Sequence, residues 1–260
     1  MSLKRLIPRR IKSWAGRLID QVPFSVQPRR RRPLWPGEND RWSYQSQYVD
    51  FQVKKGERVL DLGSGANPFP YATHLVDRYL DPTSHRNADL TKDHRPLVAA
   101  DLHQLPFQDK FFDFVYCSHV LEHVEDPIQT CAEIMRVGKR GFIETPTMGK
   151  DILFAWTTHT HKWHLAACGQ TLCFFEYSLR HAEGIRSSAW RDIIFDRHYH
   201  PLQEAFYRNQ DIFNVLFTWS DRFSVFVFAQ DGGVKTLNAD AVSTVAHKSQ
   251  DALVVGENLK

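Results

Sequence analysis

RVLDLGSGANPFP, residues 58–70, reads as a buried strand running into a glycine turn. An aspartate, Asp61, stands just before the glycines, and Pro68 and Pro70 stand where a helix would begin. A dinucleotide site uses GxGxxG, whose third glycine lets a helix pack close and aim its N-terminus at a pyrophosphate. Here the glycines are Gly63 and Gly65, and Pro68 holds the third place. A carboxylate at Asp61 would also repel a pyrophosphate. The turn therefore calls for a ligand that carries a cation, and no phosphate, at this point.

Outward from this turn, apolar strands alternate with connectors. RVLDLG (58–63), THLVD (73–77), PLVAAD (96–101), FFDFVYCS (111–118) and RGFIETP (140–146) read as five strands. EDPIQTCAEIMRVG is the clearest helix, with Asp126 as cap and Pro127 at its first position, and residues 39–53 suggest another ahead of the first strand. Such alternation implies a parallel sheet with ligands at the strands' carboxyl ends. Only eleven residues separate Gly65 from Asp77, so ANPFPYA is expected as an extended loop or a single turn in place of a three-turn helix. IFNVLFTW (212–219) and RFSVFVFAQ (222–230) stand two residues apart and read as an antiparallel hairpin finishing the sheet. Residues 231–260 are polar and aperiodic, and disorder is expected there.

Acids recur where a cationic, phosphate-free ligand needs them. Asp77 closes the second strand, where a carboxylate can accept both ribose hydroxyls. Asp101 closes the third and can accept from an adenine amino group, with the Leu102 amide beside it. A strand-end aspartate is by itself more often a turn or helix cap, but three at successive strand ends point to S-adenosylmethionine. The stretch LPFQDKFFDFVYCSHVLEHVEDP (105–127) then resembles the type 11-like class I methyltransferases, as do LDLGSG and ADLHQLPF in the same order. The resemblance covers residues 58–146 and the final hairpin. It implies a Rossmann-like α/β fold of seven mostly parallel strands with the last antiparallel, here with a shortened first helix and a lid insert after the fifth strand. It also implies S-adenosyl-L-methionine contacts at Asp61, Gly63, Ser64, Gly65, Asp77, Asp101, Leu102, Cys117 and Ser118.

Methyl transfer gains most from positioning and desolvation, and a base matters only where the acceptor must lose a proton. His119 and His123 follow the fourth strand, near the methyl end of such a cofactor; His119 is the candidate base and His123 reads as a capping residue. In THTHKWHL (158–165), His159, His161 and His164 cluster where the resemblance implies a substrate lid. His161 is taken as a second catalytic candidate, with His159, Trp163 and His164 as substrate wall. Cys168 and Cys173 follow, but the spacing matches no zinc pattern, and no metal is expected. Arg180, Arg186, Arg191 and Arg197 hold an anionic substrate or form a solvated face.

Composition divides the chain. Residues 1–33 carry ten Lys/Arg against Asp20 alone, a net of +9, so the overall +3 leaves −6 for the rest. Leu3, Ile7, Ile11, Trp14 and Leu18 recur at helical spacing among these basic residues. That suits contact with an anionic membrane surface, nucleic acid being the less favoured polyanion and a solvated tail the bland alternative. The expected organisation is a basic arm (1–38), a methyltransferase domain (39–230) with a lid insert at 147–205, and a tail. No apolar run approaches the roughly 18 residues needed to span a bilayer. Cys117, Cys131, Cys168 and Cys173 lack CxxC spacing, so the expected location is the cytoplasm, with peripheral membrane contact through the arm. The expected function is methyl transfer to O or N of a small-molecule, glycan or lipid-linked acceptor. The competing reading is a protein of the same fold that binds cofactor or partner without catalysis.

Overall fold

The computed structural model describes residues 30–35, 38, 40–82, 88–154, 160–177 and 189–239. The expected arm helix, His159, Arg180, Arg186 and the chain beyond 239 lie outside the described residues. Helix α1 (Trp42–Tyr48) leads into β1 (Val59–Leu62), β2 (His74–Asp77), β3 (Leu97–Ala99) and β4 (Phe114–Ser118). A 3₁₀ turn (Leu121–His123), α2 (Pro127–Val137), β5 (Arg140–Pro146) and α3 (Met148–Phe154) follow. Next come β6 (Trp163–Cys168), β7 (Thr171–Glu176), α4 (Ala189–Phe195), α5 (Pro201–Arg208) and α6 (Gln210–Phe213). The described chain ends with β8 (Asn214–Ser220), β9 (Ser224–Phe228) and β10 (Val234–Leu237).

The main sheet has the order β3-β2-β1-β4-β5-β8, parallel except for β8, which runs antiparallel to β5 from Arg140↔Ser220 to Pro146↔Asn214. Its strand order reverses between β1 and β4, and the carboxyl ends of these two strands form the crevice where such sheets bind ligands. Alternate residues face opposite ways. Leu60, Leu62, Val115, Cys117 and Ile143 join the larger core with Ile134 and Met135 of α2. Val59, Leu75, Phe114, Tyr116 and Phe142 face a second, aromatic core with Phe51 and Phe69. Asp126 caps α2 by accepting from the Gln129 amide at 3.1 Å, as the sequence implied.

No helix stands between β1 and β2; residues 66–72 run as turns. Phe69 fills the space that a helix would cover. Its ring is fully buried, 4.2 Å from the Tyr116 ring and 4° from parallel, with Phe51 against its edge at 5.1 Å.

The expected seven-stranded sheet and its closing hairpin require correction. The main sheet has six strands among the described residues, and β9 does not pair with β8. After β8 the chain turns through Asp221, at φ 63°, and β9 enters a second, four-stranded sheet of order β10-β9-β7-β6. β6 and β7 form an antiparallel hairpin around Gly169, at φ 56°, and β9 lies parallel to β7 from Thr171↔Ser224 to Phe175↔Phe228. That edge takes β9 because Val225 and Val227 are then buried with Leu165, Leu172 and Phe174 in the larger core. Residues 163–176 are accordingly part of the body of the molecule. The polar tail also begins later than expected, since Val234–Leu237 adds to β9 as an edge strand.

Phe69→Ala removes the ring that replaces a helix, and its cavity has no flexible neighbour to fill it. It should destabilise the protein by about 3–5 kcal/mol in urea unfolding. A loss below about 1 kcal/mol would show that the loop, not its ring, covers the sheet.

Candidate functional site

The glycine turn is held tightly. Gly63 and Ser64 donate their amides to the Val76 carbonyl at 2.8 and 3.1 Å. Gly63 has φ +68°, and a Cβ there would meet Val120 Cγ2 at 2.4 Å, so glycine is required by both conformation and space. Asp77 ties the turn to β2 by accepting from the Gly65 amide at 3.2 Å and the Tyr79 amide at 2.9 Å. Ser64 Oγ is buried without a hydrogen-bond partner among the described residues.

Asp61 lies at the floor of the crevice, 2% exposed, and accepts from the Phe69 amide at 2.7 Å. Burial raises its pKa to about 7, against the lowering pull of that amide and of Arg41 and Arg95. An ammonium beside it would favour the ionised form. Asp101 is more open. It accepts from the amide and Nδ1 of His103 at 3.0 and 2.5 Å, which lowers its pKa. His103 Nε2 accepts from the Asp126 amide at 3.0 Å, so the proton sits on Nδ1, facing the carboxylate.

Other expected contacts are turned elsewhere. The Cys117 side chain is fully buried in the core, so only its backbone can reach a ligand, and burial pushes its thiol pKa up. Leu102 also packs its side chain in the core, leaving its backbone at the crevice. Ser118 donates its hydroxyl to Glu144 Oε2 at 2.5 Å.

A polar cluster stands at the ends of β4 and β5. His119 holds φ 56° directly after β4, a left-handed conformation that strains a non-glycine residue. Its Nδ1 is 3.3 Å from Glu122 Oε1 and its Nε2 is 3.7 Å from Glu144 Oε2. Burial lowers its pKa to about 4, with Lys150 and Arg41 adding to the shift and Glu122 opposing it. It is neutral at pH 7. Glu144 is wholly buried, and burial raises its pKa against the pull of Lys150 and Arg41. Gln45 of α1 donates to it, and Lys150 donates to Asn214 Oδ1 at 2.6 Å. Arg41 reaches across from the start of α1 to the Ser118 carbonyl at 3.0 Å.

Of the residues expected at the acceptor side, those among the described residues are bound into the protein. His161 Nδ1 is 2.9 Å from Asp151 Oδ2, and its side chain is nearly buried. His164 is 1% exposed, packed 4.3 Å from the Tyr177 ring, and its Nδ1 is 3.6 Å from Asp151 Oδ2. Trp163 donates its indole N–H to the Val124 carbonyl at 2.7 Å and meets Phe174 edge-on. His164 and Trp163 dock the insert and do not form an open platform. His123, read as a capping residue, brings Nδ1 to the Thr160 carbonyl at 2.9 Å.

Arg41, Gln45, Arg95, Glu122, Glu144, Lys150 and Asp151 were not picked out by sequence reasoning. Two had a usable signal. Glu144 is an acid inside the otherwise apolar run GFIETP, and Arg41 is a cation at a helix start, against the helix dipole. Gln45 and Arg95 meet their partners across the sheet and the loop after β1, whereas Glu122, Lys150 and Asp151 are brought together by the docking of the insert.

Residues 60–143 match a family model described as a methyltransferase domain. A demethylmenaquinone methyltransferase of Paenarthrobacter aurescens is 36% identical over 111 residues, covering 40% of this chain and 43% of that protein. One of the same name from Renibacterium salmoninarum is 37% identical over 91 residues, covering 33% and 38%. The chain thus spans about two fifths of the length of these relatives. Among solved structures, a complex of the Haloferax volcanii Trm112 methyltransferase activator and a putative methyltransferase aligns with TM-score 0.44 and 15% identity, covering 69% of this chain and 88% of that one. An S-adenosylmethionine-dependent methyltransferase from Mesorhizobium loti aligns with TM-score 0.34 and 18% identity, covering 51% and 62%.

Cationic ligand binding should follow the ionisation of Asp61. Its proton is held in the free protein below about pH 7 and must leave when an ammonium arrives. Affinity for S-adenosylmethionine should therefore fall as pH drops below 7, by up to about tenfold per unit. Asp61→Asn should weaken binding by about 1–3 kcal/mol and flatten this profile. Calorimetry at several pH values reads both, and an unchanged slope in the variant would assign the proton to another group.

Proposed function

We propose that the chain is a class I S-adenosylmethionine-dependent methyltransferase acting on an oxygen or nitrogen of a small-molecule, glycan or lipid-linked acceptor, a reading supported by the match of residues 60–143 to a methyltransferase domain. S-adenosylmethionine supplies an electrophilic methyl group whose sulfonium charge is lost on transfer. The residues at the crevice fit that group: Asp61 for its ammonium, Asp77 for its ribose, Asp101 for its adenine, and Gly63 and Gly65 for close approach. No helix N-terminus is needed, since it carries no phosphate.

The observation that carries an oxygen or nitrogen acceptor is His119. Its side chain is 34% exposed, while its carboxylate neighbours Glu122 and Glu144 are almost wholly buried. A neutral imidazole can take the acceptor's proton, and the resulting imidazolium is stabilised by carboxylates on both sides. Lys150 and Arg41 keep the cluster from accumulating uncompensated negative charge. The strained backbone at residue 119 supports a functional role, because it fixes the ring at the strand end.

Residues 147–153 and 160–162 border this cluster and, in this reading, form the acceptor side. The relatives named for demethylmenaquinone favour the lipid-linked member of the acceptor set. In this reading the basic arm brings the domain, in the cytoplasm, to an anionic membrane surface where such an acceptor resides. No helix among the described residues is long and apolar enough to cross a membrane.

His119→Ala should lower kcat by about 10²–10⁴-fold with S-adenosylmethionine affinity unchanged, measured once an acceptor class gives turnover. Equal turnover of variant and parent would remove His119 as base and favour an acceptor that needs no deprotonation. Deleting residues 1–33 should abolish sedimentation with anionic liposomes at low salt while leaving cofactor affinity intact. Equal sedimentation of both forms would dispose of the membrane role.

A further inference from the structure

Beside His119, Glu122 also belongs to a second cluster, whose two histidines the proposed proton transfer does not use. Donor atoms of Glu122, His123 and His161 all lie within 4.8 Å of one another. The His123 and His161 ring centroids are 4.7 Å apart, and His123 Nε2 is 4.0 Å from Glu122 Oε1. Around a tetrahedral ion with bonds of about 2.0–2.1 Å, donors lie about 3.4 Å apart, so a contraction of at most about 1.4 Å closes the set.

Three independent features distinguish this from a chance meeting of polar groups. First, each imidazole is oriented from behind. His161 Nδ1 faces the Asp151 carboxylate at 2.9 Å, and His123 Nδ1 faces the Thr160 carbonyl at 2.9 Å. Carboxylate and carbonyl partners on the rear nitrogen are what fixes the tautomer of a metal-ligating histidine and directs Nε2 toward the ion. Second, Glu122 is 1% exposed, and its Oε2 has no hydrogen-bond partner among the described residues. A buried carboxylate oxygen left without a donor is expensive unless a cation meets it. Third, the backbone holds the two halves together. Lys162 donates its amide to the Glu122 carbonyl at 2.7 Å, and Trp163 donates its indole N–H to the Val124 carbonyl at 2.7 Å. These bonds pin the segment bearing His161, just ahead of β6, to the turn bearing Glu122 and His123, across 38 positions of sequence (123 to 161).

We propose that Glu122, His123 and His161 hold one first-row divalent metal ion of the zinc class, just beyond the end of β4. Two imidazole nitrogens and one carboxylate suit zinc, cobalt or iron(II) and disfavour magnesium or calcium, which take oxygen donors. Three protein ligands leave a position open, as in metal sites that bind a substrate or water. The site stands on its own geometry. Its consequence for chemistry rests on the methyl-transfer reading: an ion here polarises an acceptor oxygen beside His119, and the acceptor class narrows to hydroxyls able to coordinate it. The expectation of no metal rested on the spacing of His159, His161, His164, Cys168 and Cys173, of which only His161 belongs to this cluster.

The test uses the untagged, full-length chain stripped with a chelator. Titration with Co2+ should give one equivalent with the visible absorption of a low-coordinate nitrogen and oxygen site, displaced by Zn2+. His161→Ala, His123→Ala and Glu122→Gln should each abolish the band and weaken Zn2+ binding at least about 100-fold, and Asp151→Asn about 10- to 100-fold. S-adenosylmethionine affinity and circular dichroism monitor folding, and Glu122→Gln, of equal size, serves should a histidine variant fail to fold. Absence of stoichiometric binding, or a band that survives His123→Ala and Glu122→Gln, would overturn the site and assign the metal to exposed histidines such as His94. Stoichiometric metal binding with no methyl transfer to any hydroxyl acceptor would leave the site standing and count against the methyl-transfer reading alone.

Discussion

The buried carboxylate of Asp61 is the constraint around which the rest of the site is arranged. A charge at the end of a central strand is costly unless donors and cations meet it. The chain supplies them from three directions. The loop after β1 curls so that the Phe69 amide reaches Asp61, and the same curl drops the Phe69 ring onto Tyr116. Arg95 holds that curl from outside by donating to the Phe69 carbonyl at 2.9 Å while pairing with Asp93. Arg41 brings the start of α1 over the crevice and contacts the Ser118 carbonyl. The absence of a helix between β1 and β2, the aromatic core on that face and the position of α1 therefore share one electrostatic cause.

The strands of the main sheet were legible because each is a short, largely apolar run, three of them ended by an acid or a glycine. The burial of β1 and β4 on both faces leaves little room for another reading there. The helix-free loop was legible too, since eleven residues with two prolines cannot hold three turns. The second sheet was not. WHLAACGQTLCFFE contains a hairpin signal in Gly169 and Gln170, but histidines and aromatics around it suggested a ligand wall. Only the register of β9 beside β7 shows that Leu165, Leu172 and Phe174 face inward. The closeness of IFNVLFTW and RFSVFVFAQ then misled, because a two-residue link permits a hairpin without requiring one. A free edge on β7, with a matching apolar face, was the stronger attraction.

At the crevice, the positions of Asp61, Asp77 and Asp101 followed from the sequence because each lies at or near the end of a strand, where local sequence decides position. The polar cluster could not be, because its members come from separate parts of the chain. Glu122 and His123 lie in the 3₁₀ turn after β4, Glu144 in β5, Lys150 and Asp151 in α3, and His161 ahead of β6. Their meeting depends on the insert docking against the 121–124 turn, which pattern along one strand or helix does not encode. His161 was singled out as chemical, yet its partners Asp151, His123 and Glu122 were not.

That cluster also bears on why the insert packs as it does. Glu122, Glu144 and Asp151 are almost fully exposed to protein rather than water, with Lys150 buried among them. Such a group of buried charges contributes less to stability than apolar residues of the same volume would. A fold that needed only to be stable would fill this space as it filled the Phe69 side, with rings. The aromatic face and the charged end of one sheet thus divide its work: the first supplies packing, and the second keeps ionisable groups dry and oriented beside the crevice. Desolvation then acts in opposite directions on the groups there, making His119 harder to protonate and Glu144 easier. A neutral imidazole beside a carboxylate that holds its proton more readily than usual is the state that suits the base proposed at His119, and burial of the whole cluster produces it.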